Sequence, residues 1–249
     1  MTNLAPLGRL RLFILPAVVA AGLLGLYLYM NLTPGRLTDA YVLNQTYVTT
    51  RVIQHIQITA ISFGLAALIG LPLGVLLAQS GRLVSLPAFA LANLGQAVPS
   101  IGILALGFTY IGLGVQGAII ALVLYALLPI MRNTVVGLQS VDAGVQEAAR
   151  GMGMTQRQIL FKVKLPLASP VIFAGLRVSL VLVIGTATLA NFIGGGGLGD
   201  LIAASDFYHP RPILVGAVLV SALALLADWG LGLVESLLSP RVEGVRRTT

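Results

Sequence analysis

The sequence predicts an all-α, polytopic membrane protein with about six transmembrane helices and both termini in the cytoplasm. Three observations carry this reading. The 249 residues are 57% hydrophobic and only 9% charged, against roughly 25% charged in a soluble domain. Six apolar segments approach the ~20 residues that cross a ~30 Å hydrocarbon core at ~1.5 Å per residue. Lysine and arginine gather in alternate loops, as the positive-inside asymmetry requires.

The first segment, 12–30, follows Arg9 and Arg11. A secretory signal is the competing reading, but the run exceeds the usual apolar core of ~7–15 residues and YLYMNL offers no cleavage site, so a retained span is expected. Asp39, Tyr41, Asn44 and Gln45 fall in a following outer loop of about 25 residues, too short for a separate domain. The second segment covers 56–79 and the third 87–111. The fourth, 114–131, is the shortest, and Pro129 lies near its expected end at 131 and blurs that boundary. The fifth covers 171–193 and the sixth 213–238. With no compositional break, one membrane domain over 1–249 is expected, 12–30 adding a first helix to a five-helix core at about 54–238.

Placing the N-terminus in the cytoplasm puts Arg9, Arg11, Arg82, Arg132, Arg150, Arg157, Lys162, Lys164, Arg241, Arg246 and Arg247 on that side. Only Arg36, Arg51 and Arg211 fall outside, and Arg177 lies within a span. The net charge of +7 thus holds loops in the cytoplasm, and nucleic acid is not an expected partner. The chain has no cysteine, which excludes disulfides, thiolate nucleophiles and thiolate metal sites. Its two histidines, His55 and His209, sit at loop ends, where membrane-interface placement is expected rather than metal binding.

One cytoplasmic stretch, 137–168, breaks the apolar pattern. Val145, Ala148, Ala149 and Met152 recur at helical spacing with Glu147 and Arg150 on the flanks. Gly151 and Gly153 interrupt; Thr155 is placed to cap a second short helix containing Ile159 and Leu160, and Pro166 restarts the chain toward the bilayer. Two readings are open from pattern alone: a docking element, or an amphipathic connector resting on lipid.

The stretch resembles the EAA motif of the membrane subunits of binding-protein-dependent ABC importers. It reads Glu147, Ala148, Ala149, then Gly153, then Val163, Leu165 and Pro166, with only Val163 departing from the usual isoleucine. GLPLGVLLAQ, GQAVPSIGILAL and GTATLANFIGGGGLGDLI extend the likeness from about 54 to 202 and are similar to permeases for glycine betaine, choline, carnitine and related osmoprotectants. Methionine importers share the glycine run and the EAA pattern and form the alternative branch.

The resemblance implies a subunit of the bacterial or archaeal cytoplasmic membrane with no catalytic residue and no cofactor of its own. ATP and Mg would bind two partner ATPase subunits. A second permease subunit, identical or not, and a separate extracytoplasmic binding protein would complete the importer. Glu147, Ala148, Ala149, Arg150 and Gly153 would contact the ATPase, and Leu165 and Pro166 would fix the return into the fifth span. Substrate capture is assigned to the binding protein, whose aromatic cage would grip the ammonium group; this chain has a single tryptophan, Trp229.

Polar residues inside apolar spans are candidates for a substrate path. They are Asn93, Gln96, Pro99 and Ser100 in the third span and Thr186, Thr188, Asn191 and Phe192 near the outer end of the fifth. Helix-packing hydrogen bonds, or threonine bonds to their own helix, are the competing reading. Arg177 is expected to form a structural ion pair with Asp228 or Glu235. The glycine run 194–197 lacks a following GK[ST] and is expected to be a tight loop rather than a phosphate cradle.

Two unrelated classes compete. Gly197–Asp200 matches the GxGD of intramembrane aspartyl proteases, yet none of the five aspartates follows a tyrosine to supply the partner carboxylate. A stand-alone secondary transporter would couple to an ion rather than to an ATPase.

Overall fold

The structure is a computed structural model that describes residues 6–33, 35, 39–80, 86–87, 89–90, 102, 109–110, 112, 114–204 and 210–238. In lipid every backbone N–H and C=O must be satisfied within its own segment, so the long apolar runs fold as helices. Among the described residues five stretches are long and apolar enough to cross a membrane: Phe13–Leu32, Gln45–Gln79, Val115–Gln139, Gln156–Ile193 and Arg211–Leu238. The expected third span, with Asn93, Gln96, Pro99 and Ser100, lies almost wholly outside the described residues.

Helix α1 is Pro6–Leu32. The short α2, Asp39–Val42, leads to Asn44, whose side chain caps α3, Gln45–Gln79, by accepting from the Tyr47 N–H at 2.8 Å. The expected outer loop is therefore largely helical, and α3 begins eleven residues before position 56. Helix α4, Val115–Gln139, runs straight past Pro129 and ends eight residues beyond the expected stop. A proline ring removes one ladder bond, and neighbouring polar groups can offset that loss. The carbonyl left without its ladder donor is that of Tyr125; beside it the Ser179 hydroxyl donates to the Ala126 carbonyl at 2.9 Å, and the Asn133 amide donates to that of Pro129 at 2.9 Å.

After α5, Ala143–Gly151, comes α6, Gln156–Ile159. A single π-turn, Leu160–Lys164, joins α6 without a break to α7, Leu165–Thr186, which continues as a 3₁₀ turn, Ala187–Ile193. Pro166 therefore does not restart the chain. It occupies the first turn of α7, where its missing N–H costs little, and the wide turn ends just before its ring. The fifth span thus forms the end of a 38-residue helical stretch starting at Gln156, fifteen residues before position 171. Helices α8, Gly199–Ala203, and α9, Arg211–Leu238, complete the described chain.

Helices α3, α4 and α7 form the centre, with α9 against α7 and α1 on the outside against α9. Small residues allow the close approach that drives helix association in lipid. A Cβ at Gly74 would lie 2.6 Å from Thr134 Cβ, and one at Gly175 would lie 2.5 Å from Asn133 Cβ. Gly70 faces Ile130 and Gly74 faces Thr134, so α3 and α4 run in the same direction. Ala66, Ala126, Ile130, Leu138, Leu160, Ala168 and Val183 are buried along this centre.

Candidate functional site

The described residues place three features on this frame: a helical foot at one end, a clamp around the glycine run at the other, and a groove along α7 between them.

The foot is α5 and the corner that follows it. Asp142 caps α5 by accepting from the Val145 N–H at 3.1 Å, and Gln146 reaches back to the Val141 carbonyl at 2.9 Å. The helix ends in a Schellman motif: the Met154 N–H donates to the Ala149 carbonyl at 3.1 Å and the Gly153 N–H to that of Arg150 at 2.9 Å. Gly153 takes φ +80° there, with open space where a Cβ would project. Its requirement within this chain is torsional. Thr155 and Gln158 then form a reciprocal capping box at the start of α6.

Only one residue of the expected apolar face turns inward. Ala149 is 2% exposed, whereas Val145 is 42% and Met152 74% exposed. Ala148, Glu147, Arg150 and Gly153 are exposed as well. Val145, Ala148 and Met152 therefore form a stripe uncovered by this chain, flanked by one acidic and one basic side chain. Leu165 and Pro166 are half-buried at the base of α7, beyond the buried Ile159 and Leu160 that anchor the foot.

At the opposite end the first turns of α3 grip the chain that follows α7. Gly194, Gly196 and Gly197 have φ of 75°, 73° and 85°, torsions that side-chain-bearing residues adopt at a cost of about 1–2 kcal/mol. A Cβ on Gly199 would fall 1.9 Å from the Thr188 carbonyl oxygen. The run is a tight, closely packed turn, as expected. Arg51 pairs with Asp200 at 2.8 Å, donates to Gln54 at 2.8 Å and lies 4.7 Å over the Tyr47 ring. Burial pushes the Asp200 carboxyl upward, and the Arg51 charge opposes that shift.

His55 is fully buried among protein atoms. Its Nδ1 accepts the Leu198 N–H at 3.3 Å, which places the proton on Nε2, and Nε2 donates to the Ile184 carbonyl at 3.0 Å. With both ring nitrogens engaged, His55 is not a free metal ligand. His209 lies outside the described residues. Sequence reading missed this clamp because 45–55 precedes the apolar run; the signal present was polar residues at helical spacing, Tyr47, Arg51 and Gln54.

The groove has a volume of about 910 Å³ and is lined by Ala174, Val178, Gly185, Thr186 and Thr188, with Arg177 and Asp228 at one side. Arg177 donates from Nε and Nη2 to the two Asp228 oxygens, each at 2.7 Å, and its Nη1 lies 3.7 Å from Glu235. The expected ion pair is thus present, with both anticipated partners. Thr186 and Thr188 line the groove, although the Thr188 hydroxyl donates to its own helix at Gly185, 2.7 Å away. Asn191 and Phe192 belong to the 3₁₀ turn; Phe192 is 65% exposed and neither lines the groove.

Among the described residues no group of His, Asp and Glu is arranged to hold a metal ion. Asp200 of the GxGD sequence faces Arg51 rather than a second carboxyl.

The family model described as "Binding-protein-dependent transport system inner membrane component" matches residues 70–240. The chain belongs to that family. As a bacterial inner-membrane transport component it is not an enzyme on its own.

Relatives of this inner-membrane component include the carnitine transport permease protein OpuCB of Listeria monocytogenes, 44% identical over 76% of this chain and 86% of the relative. The choline transport system permease protein OpuBB of Bacillus subtilis is 43% identical over 75% of this chain and 86% of its own. Among solved structures, the MetNI methionine ABC transporter in an inward-facing conformation is similar with a TM-score of 0.68 at 26% identity, covering 78% of this chain and 96% of that one.

Proposed function

We propose that this permease carries glycine betaine, choline, carnitine or a related osmoprotectant into the cytoplasm by alternating access, driven by ATP and Mg on two partner ATPase subunits. A second permease subunit and an extracytoplasmic binding protein complete the assembly. The observation that carries the substrate class is the 43–44% identity to carnitine and choline permeases over three quarters of the chain. The methionine transporter matches at 26%, which makes the amino-acid reading the weaker one.

The coupling role is assigned to Glu147, Ala148, Ala149, Arg150 and Gly153, with Leu165 and Pro166 at the hinge into the membrane. What supports it is the uncovered stripe Val145, Ala148 and Met152 on a short helix capped at both ends. A capped foot joined at one corner to α6, which continues unbroken into α7, can pass a displacement into the span, shifting the balance between two packed states. The eleven-to-three distribution of basic residues supports a cytoplasmic position for the foot. Six crossings, and hence both termini on one side, are supported by the parallel α3 and α4, since two parallel neighbours need a connection that returns across the membrane. The whole chain is read as one permease domain.

Reconstitution with the cognate ATPase and binding protein tests the substrate class. ATP-dependent accumulation of labelled glycine betaine, choline or carnitine supports the reading. Accumulation of methionine with none of these would replace it.

A further inference from the structure

Within the proposed substrate class, glycine betaine and carnitine are zwitterions: each joins a quaternary ammonium, which has no N–H to donate, to a carboxylate that accepts hydrogen bonds. Choline has the ammonium without the carboxylate. A site for the zwitterions therefore needs spare charged donors set beside a carboxylate and apolar surface.

The groove along α7 brings those parts together. Its charged lining residues are Arg177 and Asp228. Their side chains are 39% and 24% exposed inside spans, where ionisable groups face protein or water rather than hydrocarbon. The groove therefore opens toward a polar space and not toward lipid tails. Its volume of about 910 Å³ is ample for a small solute, and from Ala174 to Thr188 it follows ~21 Å of helix. Val178, Leu182 and Gly185 line it with apolar or small groups beside the pair.

The pair is not closed upon itself. Asp228 takes its two 2.7 Å bonds from Nε and Nη2 of Arg177. The Nη1 group makes no hydrogen bond among the described residues, since Glu235 lies 3.7 Å away, beyond hydrogen-bond reach. Gly232 of α9 stands beside it with no side chain to cover it: a Cβ there would lie 3.9 Å from Nη1. Arg177 thus keeps planar charged donors in hand, the geometry that matches a carboxylate.

We infer that the Arg177–Asp228 pair is a transient station for zwitterionic solutes in the α7 groove, and so determines specificity within the class. Nη1 of Arg177 receives the solute carboxylate, and the quaternary ammonium rests on Val178 and Leu182 beside Asp228. The pair need not open, because an ammonium without N–H takes none of the lone pairs that Arg177 already occupies. Choline brings no carboxylate for Nη1 and gains little. Glu235 draws on the same guanidinium from outside the groove lining, and no aromatic side chain lines the groove to form a cation–π cage; both keep the hold weak, as passage requires. This rests on the proposed osmoprotectant function and deepens it.

The test compares the wild-type complex with Arg177→Met/Asp228→Leu, in which apolar packing replaces the pair. Each is reconstituted with ATPase and binding protein in vesicles of phosphatidylethanolamine and phosphatidylglycerol, which present no choline headgroup. The binding protein is saturated in turn with labelled glycine betaine, carnitine or choline, so that capture is not limiting, and solute delivered per ATP hydrolysed is measured. The expected result is a loss of about tenfold for each zwitterion that the wild type carries and of no more than about twofold for choline, since a charge-assisted contact is lost only by the former. If the double variant does not assemble, Arg177→Lys, which keeps a charge beside Asp228 without the planar fork, is measured in the same way, with a loss of about threefold expected for the zwitterions.

Delivery per ATP unchanged for the zwitterions, an equal loss for choline and a zwitterion, or a wild type that carries choline alone overturns the inference and leaves the osmoprotectant function standing. A wild-type complex that carries none of the three solutes removes the function itself, and the inference with it.

Discussion

The His55 ring donates through Nε2 to the carbonyl of Ile184 at 3.0 Å, tying the third turn of α3 to the end of α7 across 129 residues of sequence. Because Nδ1 also receives the Leu198 N–H, one buried side chain satisfies backbone groups on both sides of the glycine run. His55→Ala leaves a cavity and two unpaired polar groups, and a loss of about 2–4 kcal/mol is expected. Thermal unfolding of the purified permease in detergent checks this. A melting point within a degree or two of wild type would show that the tie contributes little.

Gly199→Ala is expected to be more damaging than any other single-methyl addition in that turn. The new Cβ would fall 1.9 Å from the Thr188 carbonyl oxygen, so backbone must move, and overpacking of this kind costs about 3 kcal/mol or more. Gly185→Ala is the control, because its Cβ would meet nothing within 4 Å. Yields of folded protein after size-exclusion chromatography should fall for the first and hold for the second.

The corner of the foot gives a different signature. Gly153→Ala meets no neighbour but forces a side chain into φ +80°, a strain of about 1–2 kcal/mol confined to one Schellman motif. Membrane insertion and global melting should stay unchanged while ATPase co-purification weakens by about tenfold. Equal co-purification would mean that the corner is not part of the docking surface.

Glu147→Lys reverses a charge on an exposed helix face, where substitutions usually change stability by less than about 0.5 kcal/mol. Transport and ATPase association should drop while insertion persists. Normal uptake would contradict the coupling role assigned to Glu147.

Asp228→Ala removes both 2.7 Å bonds from the Arg177 guanidinium and leaves it only Glu235, 3.7 Å away, within a span. An unpaired arginine at such depth costs about 2.5–3.5 kcal/mol on insertion scales. Arg177→Met with Asp228→Leu together should recover much of that stability, since apolar packing then replaces the bonded pair and only the more loosely held Glu235 loses a partner. Melting temperatures of the two variants decide it: a double variant as unstable as the single one would count against this account of the pair.

The helical class and the family were legible because lipid leaves the chain few choices and the EAA stretch is dense in information. The boundaries were less so, for identifiable reasons. Residues 45–55 belong to α3 although Arg51, Gln54 and His55 depress their hydropathy, because those side chains face the glycine run rather than lipid. Pro129 blurs the end of the fourth segment in sequence and Pro166 reads as a restart toward the bilayer, yet α4 continues past the first and a π-turn before the second joins α6 to α7. The pairing of Arg177 with Asp228 was legible as charge complementarity between two spans. The uncovered stripe on α5 was not, because helical spacing gives a face but not what lies against it.

In the proposed function the foot carrying Met152 lies in the cytoplasm, covered by an ATPase subunit. The chain is naturally free of cysteine, so Met152→Cys supplies a single reactive thiol at an exposed position. Labelling with a membrane-impermeant maleimide measures its side and its cover. The account expects no labelling in intact cells, full labelling in inverted vesicles stripped of ATPase, and protection when the ATPase is restored. Labelling from outside intact cells, or labelling unaffected by the ATPase, would contradict it.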